Sequence, residues 1–414
     1  MLRFAEAQQR VLSAVSPVGV ERVPLAQAYG RYLAQEITAT LDLPPWDNSA
    51  MDGYALRAAD LSRVPVMLTI NEVLAAGHQT AAEVKEGTAS AIMTGAPVPP
   101  GADTVVIVEN TDGALSGSVR VLSQTPAGAN IRRRGEDVRR GQSLLQRGRR
   151  LEAAEVGLLA SLGQREVCVA KRPVVAILAT GNELVQPGAA LGPGQIYSSN
   201  TATLRGLVLQ AGAEVLDLGA ATDTQESVCA ALRRASGADV IVTTGGVSAG
   251  VFDVVRAAFD ELGVHWDFWK IKMKPGKPVA FGWLQEQADR SLVFGLPGNP
   301  VSCMVTFLQF VRPCLLSMVG DDKPFLPMIE TIAGQAFQKK SERTEFVRVR
   351  LERQGRDWVC FSTGSQSSGV LTSMVSGDGF ALLGEEVRAV AQGAPVRVQV
   401  YNPRLLHRAV EVDG

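Results

Sequence analysis

The order of apolar and polar positions divides this chain into stretches of different texture. Phe4, Val11, Leu12 and Val15 recur at helical spacing ahead of the turn at Pro17, so residues 1–40 read as helix-rich. From about 47 to 138 the helical period is lost. Short β-rich runs at 66–73, 89–93, 104–108 and 118–122 alternate with Gly, Pro and Asp, the pattern of a small all-β module. Residues 151–163 return to a helix stopped at Gly163; packing of that helix beside the first makes the β module an insertion. From Lys171 strands at 174–179, 214–218, 239–243, 279–283 and 291–294 alternate with helices at 202–211, 226–235, 253–262 and 300–318. Alternation of this kind predicts a mainly parallel α/β sheet in a domain of about 150 residues. After Pro324 and Pro327, strands at 345–351, 358–362, 380–383 and 396–400 predict a small β-barrel or sandwich.

Composition narrows the class. A chain of 414 residues, 46% hydrophobic and 20% charged, is globular and long enough for about two to four domains. A formal charge of −1 gives no bulk basic field for nucleic acid or an anionic membrane. Glu6, Gln8, Gln9 and Arg10 interrupt any signal-peptide core, and no apolar run approaches the roughly 20 residues of a membrane span. The 5 cysteines form no CxxC pair, which suits reduced thiols and a cytoplasmic location. The 3 histidines are isolated, which argues against a His-rich zinc site or a Ser-His-Asp triad within one motif, and any metal should be a hard cation on carboxylates.

Candidate chemistry concentrates in loops. Pro44-Pro45-Trp46-Asp47-Asn48-Ser49-Ala50-Met51-Asp52-Gly53-Tyr54-Ala55 has no regular period and reads as a loop held in one shape around Trp46, Met51 and Tyr54. It is either a functional surface or a domain-entry turn with Asp47 as a helix cap. Three glycine-bearing loops follow strands of the α/β region: Thr180-Gly181-Asn182-Glu183-Leu184, Thr244-Gly245-Gly246-Val247-Ser248, and Gly295-Leu296-Pro297-Gly298-Asn299-Pro300-Val301-Ser302. At one sheet edge they would build an anion-binding crevice, with Asn299 as N-cap and Pro300 opening a helix aimed into it. Glu183, Asp223 and Asp253 each fall after a strand and could hold Mg²⁺ with a substrate phosphate; each could equally cap a helix. Lys274-Pro275-Gly276-Lys277-Pro278 sets two ammonium groups on a stiff turn suited to an oxyanion. The 8 arginines of 131–150 read as a solvated linker. Walker A and GxGxxG motifs are absent, against a P-loop ATPase or a dinucleotide oxidoreductase.

Together with MTGAPVP at 93–99 and NIRRRGED at 130–137, these motifs resemble the MoeA family of molybdopterin molybdenumtransferases, which includes the E domain of gephyrin-like proteins. The resemblance implies a multidomain α/β plus all-β fold. It implies a helical domain (1–46 and 139–173) split by a β-rich domain (47–138), an α/β domain like the molybdopterin adenylyltransferases (174–326), and a C-terminal β-barrel (327–414). It implies a cytoplasmic homodimer that inserts molybdenum from molybdate into adenylylated molybdopterin, cleaving the phosphoanhydride with Mg²⁺ and releasing AMP. Molybdopterin adenylyltransferase and other cofactor-biosynthesis proteins are implied partners.

Residue by residue, Glu183, Asp223 and Asp253 match the acids associated with Mg²⁺ and the pterin nucleotide, and Asp52, Thr94 and Asp137 match positions supplied across the dimer. Gly245, Gly246, Ser248, Pro297 and Pro300 fall in the substrate loops, and Lys274, Lys277, Ser302, Arg348 and Ser368 match the oxyanion-binding set. Asn182, Ser198 and Val251 stand where the family commonly has acids, and Thr363–Gly369 departs from its usual TGHQGSH. Adenylyl transfer from ATP, a non-catalytic dimeric scaffold and a tungstate-specific paralogue are the alternative readings.

Overall fold

The computed structural model describes residues 1–77, 82–245, 251–286, 289–339 and 341–403, with the side chains of 251–253, Glu286 and Asp289 outside that description. The chain divides into two compact units: 35–146 with 154–165, and the remainder.

The first of these is built on a five-stranded sheet in the order β4-β1-β3-β2-β5, comprising β1 (Gly53–Leu56), β2 (Val66–Leu74), β3 (Thr88–Ile92), β4 (Thr104–Ile107) and β5 (Ser118–Val121). Only β2 and β3 run parallel. Alternating residues such as Tyr54, Leu56, Leu68, Ala89 and Val106 close its core. Gly53 cannot be replaced freely, because a Cβ there would overlap the Val106 carbonyl of β4. Immediately before β1, Asn48–Ser49 pairs antiparallel with Ile131–Arg132.

Three readings of this region are corrected. Tyr54 is buried and donates its hydroxyl to Ala114 O at 2.6 Å, but Trp46 and Met51 lie on the surface, 50% and 43% exposed. Backbone pairing, not their packing, shapes the loop. Asp47 caps no helix: it accepts from Arg133 Nη1 at 2.6 Å and Arg134 N at 2.8 Å. Nor is the arginine-rich run merely solvated, since Arg134 Nε also binds Asp42 at 2.6 Å.

The other unit carries a six-stranded sheet in the order β7-β6-β8-β11-β10-β9. Its strands are β6 (Val174–Thr180), β7 (Glu214–Ala221), β8 (Val240–Thr244), β9 (His265–Phe268), β10 (Ala280–Glu286) and β11 (Asp289–Leu296). Four strands are mutually parallel, as the alternation of strand and helix requires, while β9 and β10 extend the edge antiparallel. One apolar cluster joins a sheet face to α1 (Ser199–Gln210) and α4 (Pro300–Met318); a second joins the opposite face to α2 (Gln225–Leu232) and α3 (Val251–Glu261). Buried on both sides, β6 and β8 begin as apolar runs and turn polar only at their carboxyl ends, in Thr180, Thr243 and Thr244.

Although long and apolar enough to cross a membrane, α4 is a core helix, 83% buried. It widens to a π-turn at Phe307–Val311, just before Pro313. A proline cannot donate to the carbonyl four residues back, here Gln309 O, and Gln8 Nε2 takes that carbonyl at 3.0 Å. Gln8 lies on the helix Phe4–Ser13, the one α-helix among residues 1–40 beside a single 3-10 turn at Leu25–Gln27, so the expected helix-rich start is corrected. After Pro17, the β-branched Val18, Val20 and Val23 favour extended backbone, and Val20–Pro24 pairs with Glu166–Ala170.

Beyond α4, β12 (Met328–Ala333), β13 (Thr344–Gln354), β14 (Asp357–Ser362), β15 (Gly379–Leu383) and β16 (Pro395–Val400) close on themselves in the order β13-β14-β12-β16-β15-β13. This is a five-stranded barrel filled by Val349, Leu351, Cys360, Ala381 and Val398. Its first strand, β12, was not legible as a strand from its mixed pattern. The five cysteines are free thiols.

Candidate active site

In the six-stranded sheet β6 connects to β7 on one side and the chain then crosses to β8 on the other, so the topological switch lies between β6 and β8. A cavity of about 400 Å³ opens there, beyond the carboxyl ends of the parallel strands. All three glycine loops line it. Gly245, at φ +96°, permits the approach of β8's loop to β6: a Cβ would overlap the Thr180 carbonyl. On the far wall α4 begins at Pro300 with Asn299 as its N-cap, and the Asn299 side chain makes no capping bond. A helix N-terminus thus faces the cavity, as the Asn-Pro pair predicts.

The acids are held with different tightness. Asp223 and Asn182 clasp each other reciprocally: Asn182 N donates to Asp223 Oδ2 at 3.2 Å, and Asp223 N to Asn182 Oδ1 at 3.1 Å. Asp223 is therefore free of capping duty on α2, which Thr224 performs by accepting from Ser227 N at 3.2 Å. Glu183 folds back over Gly181, whose substituted Cβ would stand 2.7 Å from either carboxylate oxygen. Asp223 Oδ1, Thr180 Oγ1 and Asn200 Oδ1 are buried without a hydrogen-bond partner. Orphan oxygens clustered in one cavity are the chemistry of a site awaiting a cation or a donor-bearing ligand. Among the described residues no three His, Cys, Asp or Glu side chains form a ready-made metal cluster. Glu183 and Asp223 would thus hold a hard divalent cation only with oxygens supplied by a ligand.

Glu183, Asp223, Gly245, Pro297 and Pro300 all line the cavity. Ser302 is buried in the first turn of α4, beside Cys303, whose thiol burial pushes up to about 12; it is no nucleophile. Gly246, Ser248 and the Asp253 side chain lie outside the described residues. Asn200 was missed by the sequence reading. Its Nδ2 donates to Thr244 Oγ1 at 2.9 Å and to Gly298 O at 2.7 Å, tying two of the loops together. The only signal was polar Ser198-Ser199-Asn200 at a helix start.

The cationic set divides. Pro278 lines the large cavity, whereas Lys274 and Pro275 line a smaller one of about 210 Å³ with Arg348 and Gln366. Lys274 Nζ lies 3.4 Å from Glu345 Oε2, and Lys277 is exposed. Arg348, 1% exposed, gives Nη2 to the carbonyls of Ser365 (3.2 Å) and Ser367 (3.0 Å) and Nε to Ser373 Oγ at 3.1 Å. Burial lowers its pKa, and those bonds hold the 365–368 loop rather than leave the guanidinium free. From that loop the Ser368 carbonyl accepts the Val301 N–H of α4 at 3.1 Å.

In the other unit Asp52 and Thr94 meet. Asp52 Oδ1 accepts from Thr94 N at 2.7 Å and from Thr94 Oγ1 at 2.8 Å, which lowers the Asp52 pKa, the backbone bond contributing most. The Asp137 side chain is exposed, its backbone N–H bound to Leu43 O at 3.0 Å.

Residues 2–163 match the family described as the MoeA N-terminal region (domain I and II), 176–317 a probable molybdopterin binding domain, and 331–401 the MoeA C-terminal region (domain IV). Molybdopterin molybdenumtransferase 2 of Mycobacterium tuberculosis is 39% identical over 96% of this chain and 99% of its own length. The molybdopterin molybdenumtransferase of Haemophilus influenzae is 36% identical over 97% and 99%. A crystal structure of a molybdopterin biosynthesis moeA protein from Pyrococcus horikoshii OT3 superposes with a TM-score of 0.82 at 29% identity, over 97% of this chain and 100% of that one.

Proposed function

This chain belongs to the MoeA family, and we propose on that premise that it joins molybdate to adenylylated molybdopterin with Mg²⁺-dependent cleavage of the phosphoanhydride and release of AMP. It is an enzyme, and the family's transfer of molybdenum to molybdopterin is its activity. The observation that carries the finer reading is Asp223 Oδ1, a buried carboxylate oxygen without a partner in a cavity that also holds Glu183 and a helix N-terminus.

Glu183 and Asp223, with Asp253, would hold Mg²⁺ beside the substrate phosphates. A divalent cation held by these carboxylates would supply charge neutralisation for phosphoanhydride cleavage. The chain's own groups do the positioning. Asn182 fixes Asp223, Gly245 allows backbone to approach the pyrophosphate, and the first turn of α4 faces its negative charge. We assign molybdate, a dianion, to the neighbourhood of Lys274 and Lys277, with Ser302 kept in the proposed set and Arg348 and Ser368 shaping the 365–368 loop. Asp52, Thr94 and Asp137 would come from the second copy in a cytoplasmic homodimer. The four-domain division (1–46 with 139–173, 47–138, 174–326, 327–414) belongs to the same proposal.

The test combines purified protein, adenylylated molybdopterin, Mg²⁺ and either molybdate or tungstate. AMP release that requires an oxyanion and consumes no ATP is expected. AMP formation without oxyanion, or ATP turnover with unadenylylated molybdopterin, would overturn the assignment in favour of adenylyl chemistry.

A further inference from the structure

The sheet that carries the crevice has a second large opening at its other end. A cavity of about 710 Å³ lies beside the amino-terminal ends of β6 and β8, lined by the turns at 14–19, 171–174 and 236–239 and by the start of β11. The fold does not account for it, since open α/β sheets place their ligands at the carboxyl ends of strands.

Its charge is uneven. Lys171, Arg172 and Arg290 line it against a single acid, Asp239. Asp239 is already engaged, its Oδ2 accepting Val174 N at 2.7 Å. No described residue forms an ion pair with any of the three cations. Arg290 is the informative one. Its guanidinium carbon sits 4.2 Å above the Trp283 ring, which fixes the plane of the fork, while its Nε–H is buried without a partner. A buried, oriented and unsatisfied guanidinium donor calls for an acceptor. Opposite, the Lys171 side chain is laid along Gly19, with its amide donating to Gly19 O at 2.8 Å. Glycine there leaves room for the lysine stem, which a Cβ would crowd at 3.4 Å.

We propose that this basin is a second ligand site, which binds the phosphate group of a small phosphorylated metabolite. Three cations without counter-ions and one planar donor fork match a phosphate oxyanion, and the volume admits a molecule larger than phosphate itself. The site is separate from the crevice beyond β6 and β8, and occupancy does not require turnover.

Titration calorimetry of the full-length protein with inorganic phosphate and with AMP tests this, using Arg290→Gln and Arg172→Glu. Arg172 is exposed, so its variant keeps the test valid should Arg290→Gln fail to fold. Each variant is expected to weaken phosphate binding about tenfold or more, the worth of one charge-assisted hydrogen bond, and to leave molybdenum transfer unchanged. Because the crevice itself releases AMP, only AMP binding that is lost in both variants counts for the basin, and it would extend the ligand from phosphate to a nucleotide. Absence of phosphate binding by the wild-type protein, or binding undiminished in both variants, would overturn the proposal.

Discussion

Asp52 accepts two hydrogen bonds from one residue, and both favour its ionised form, so its folded-state pKa lies below the ordinary carboxylate range. A group depressed in this way supports the fold above its unfolded pKa, and that support is lost as pH falls through the folded value. If Asp52 acts as a carboxylate, the acid limb of kcat/KM lies low. We expect Thr94→Val, which removes the hydroxyl donor, to move that limb to higher pH, whereas Asp52→Asn folds and loses turnover. Superimposable pH–rate profiles for wild type and Thr94→Val would remove the pair from the chemistry. Arg348 belongs to a different class of residue. Its guanidinium, buried on the outer face of β13 opposite Val349 and Leu351, satisfies the Ser365 and Ser367 carbonyls, so Arg348→Ala should cost roughly 2–4 kcal/mol in denaturant unfolding, from orphaned acceptors as much as from lost volume. Arg348→Lys, without the fork, should recover only part of it.

Between residues and elements, glycines mark where two backbones must touch. Gly245→Ala combines positive φ with overlap on Thr180, so the β8 loop must withdraw from β6. We expect a lower Tm, and a pterin-nucleotide affinity in calorimetry that falls by more than the stability loss explains. Elements with a strong local signal were readable without the structure, β6 as a long apolar run, β8 as a short β-branched one and α4 as Asn-Pro followed by a long apolar stretch. The three glycine loops were readable because glycine and proline restrict backbone locally. What stayed hidden depends on partners far away in sequence. Asn200 acquires its role from Thr244 and Gly298, Arg348 from a loop some 17 to 19 residues on, and Asp47 from Arg133, 86 residues on. Apolar spacing near the N-terminus suggested more helix than forms, because Pro17 and the β-branched residues after it compete locally for extended backbone.

At the scale of the molecule, the scarcity of ready-made metal ligands sets an order of events. With Glu183 and Asp223 unaccompanied by a third described acid or imidazole, Mg²⁺ alone should bind weakly. We expect Mg²⁺ to leave Tm unchanged in the free protein and to raise it when the pterin nucleotide is present; equal stabilisation with and without nucleotide would contradict a ligand-completed site. One bond described above reaches further than its 3.1 Å: Val301 N–H to Ser368 O joins the first turn of the crevice helix to the barrel's loop. That amide cannot serve an incoming anion and the Ser368 carbonyl equally well. An anion that drew the helix turn towards itself would compete with the loop for that hydrogen and so would loosen a latch on the barrel. Faster amide exchange around Ser365–Ser368 as the crevice fills would be its signature, and the helix end would then work as a relay rather than a fixed wall.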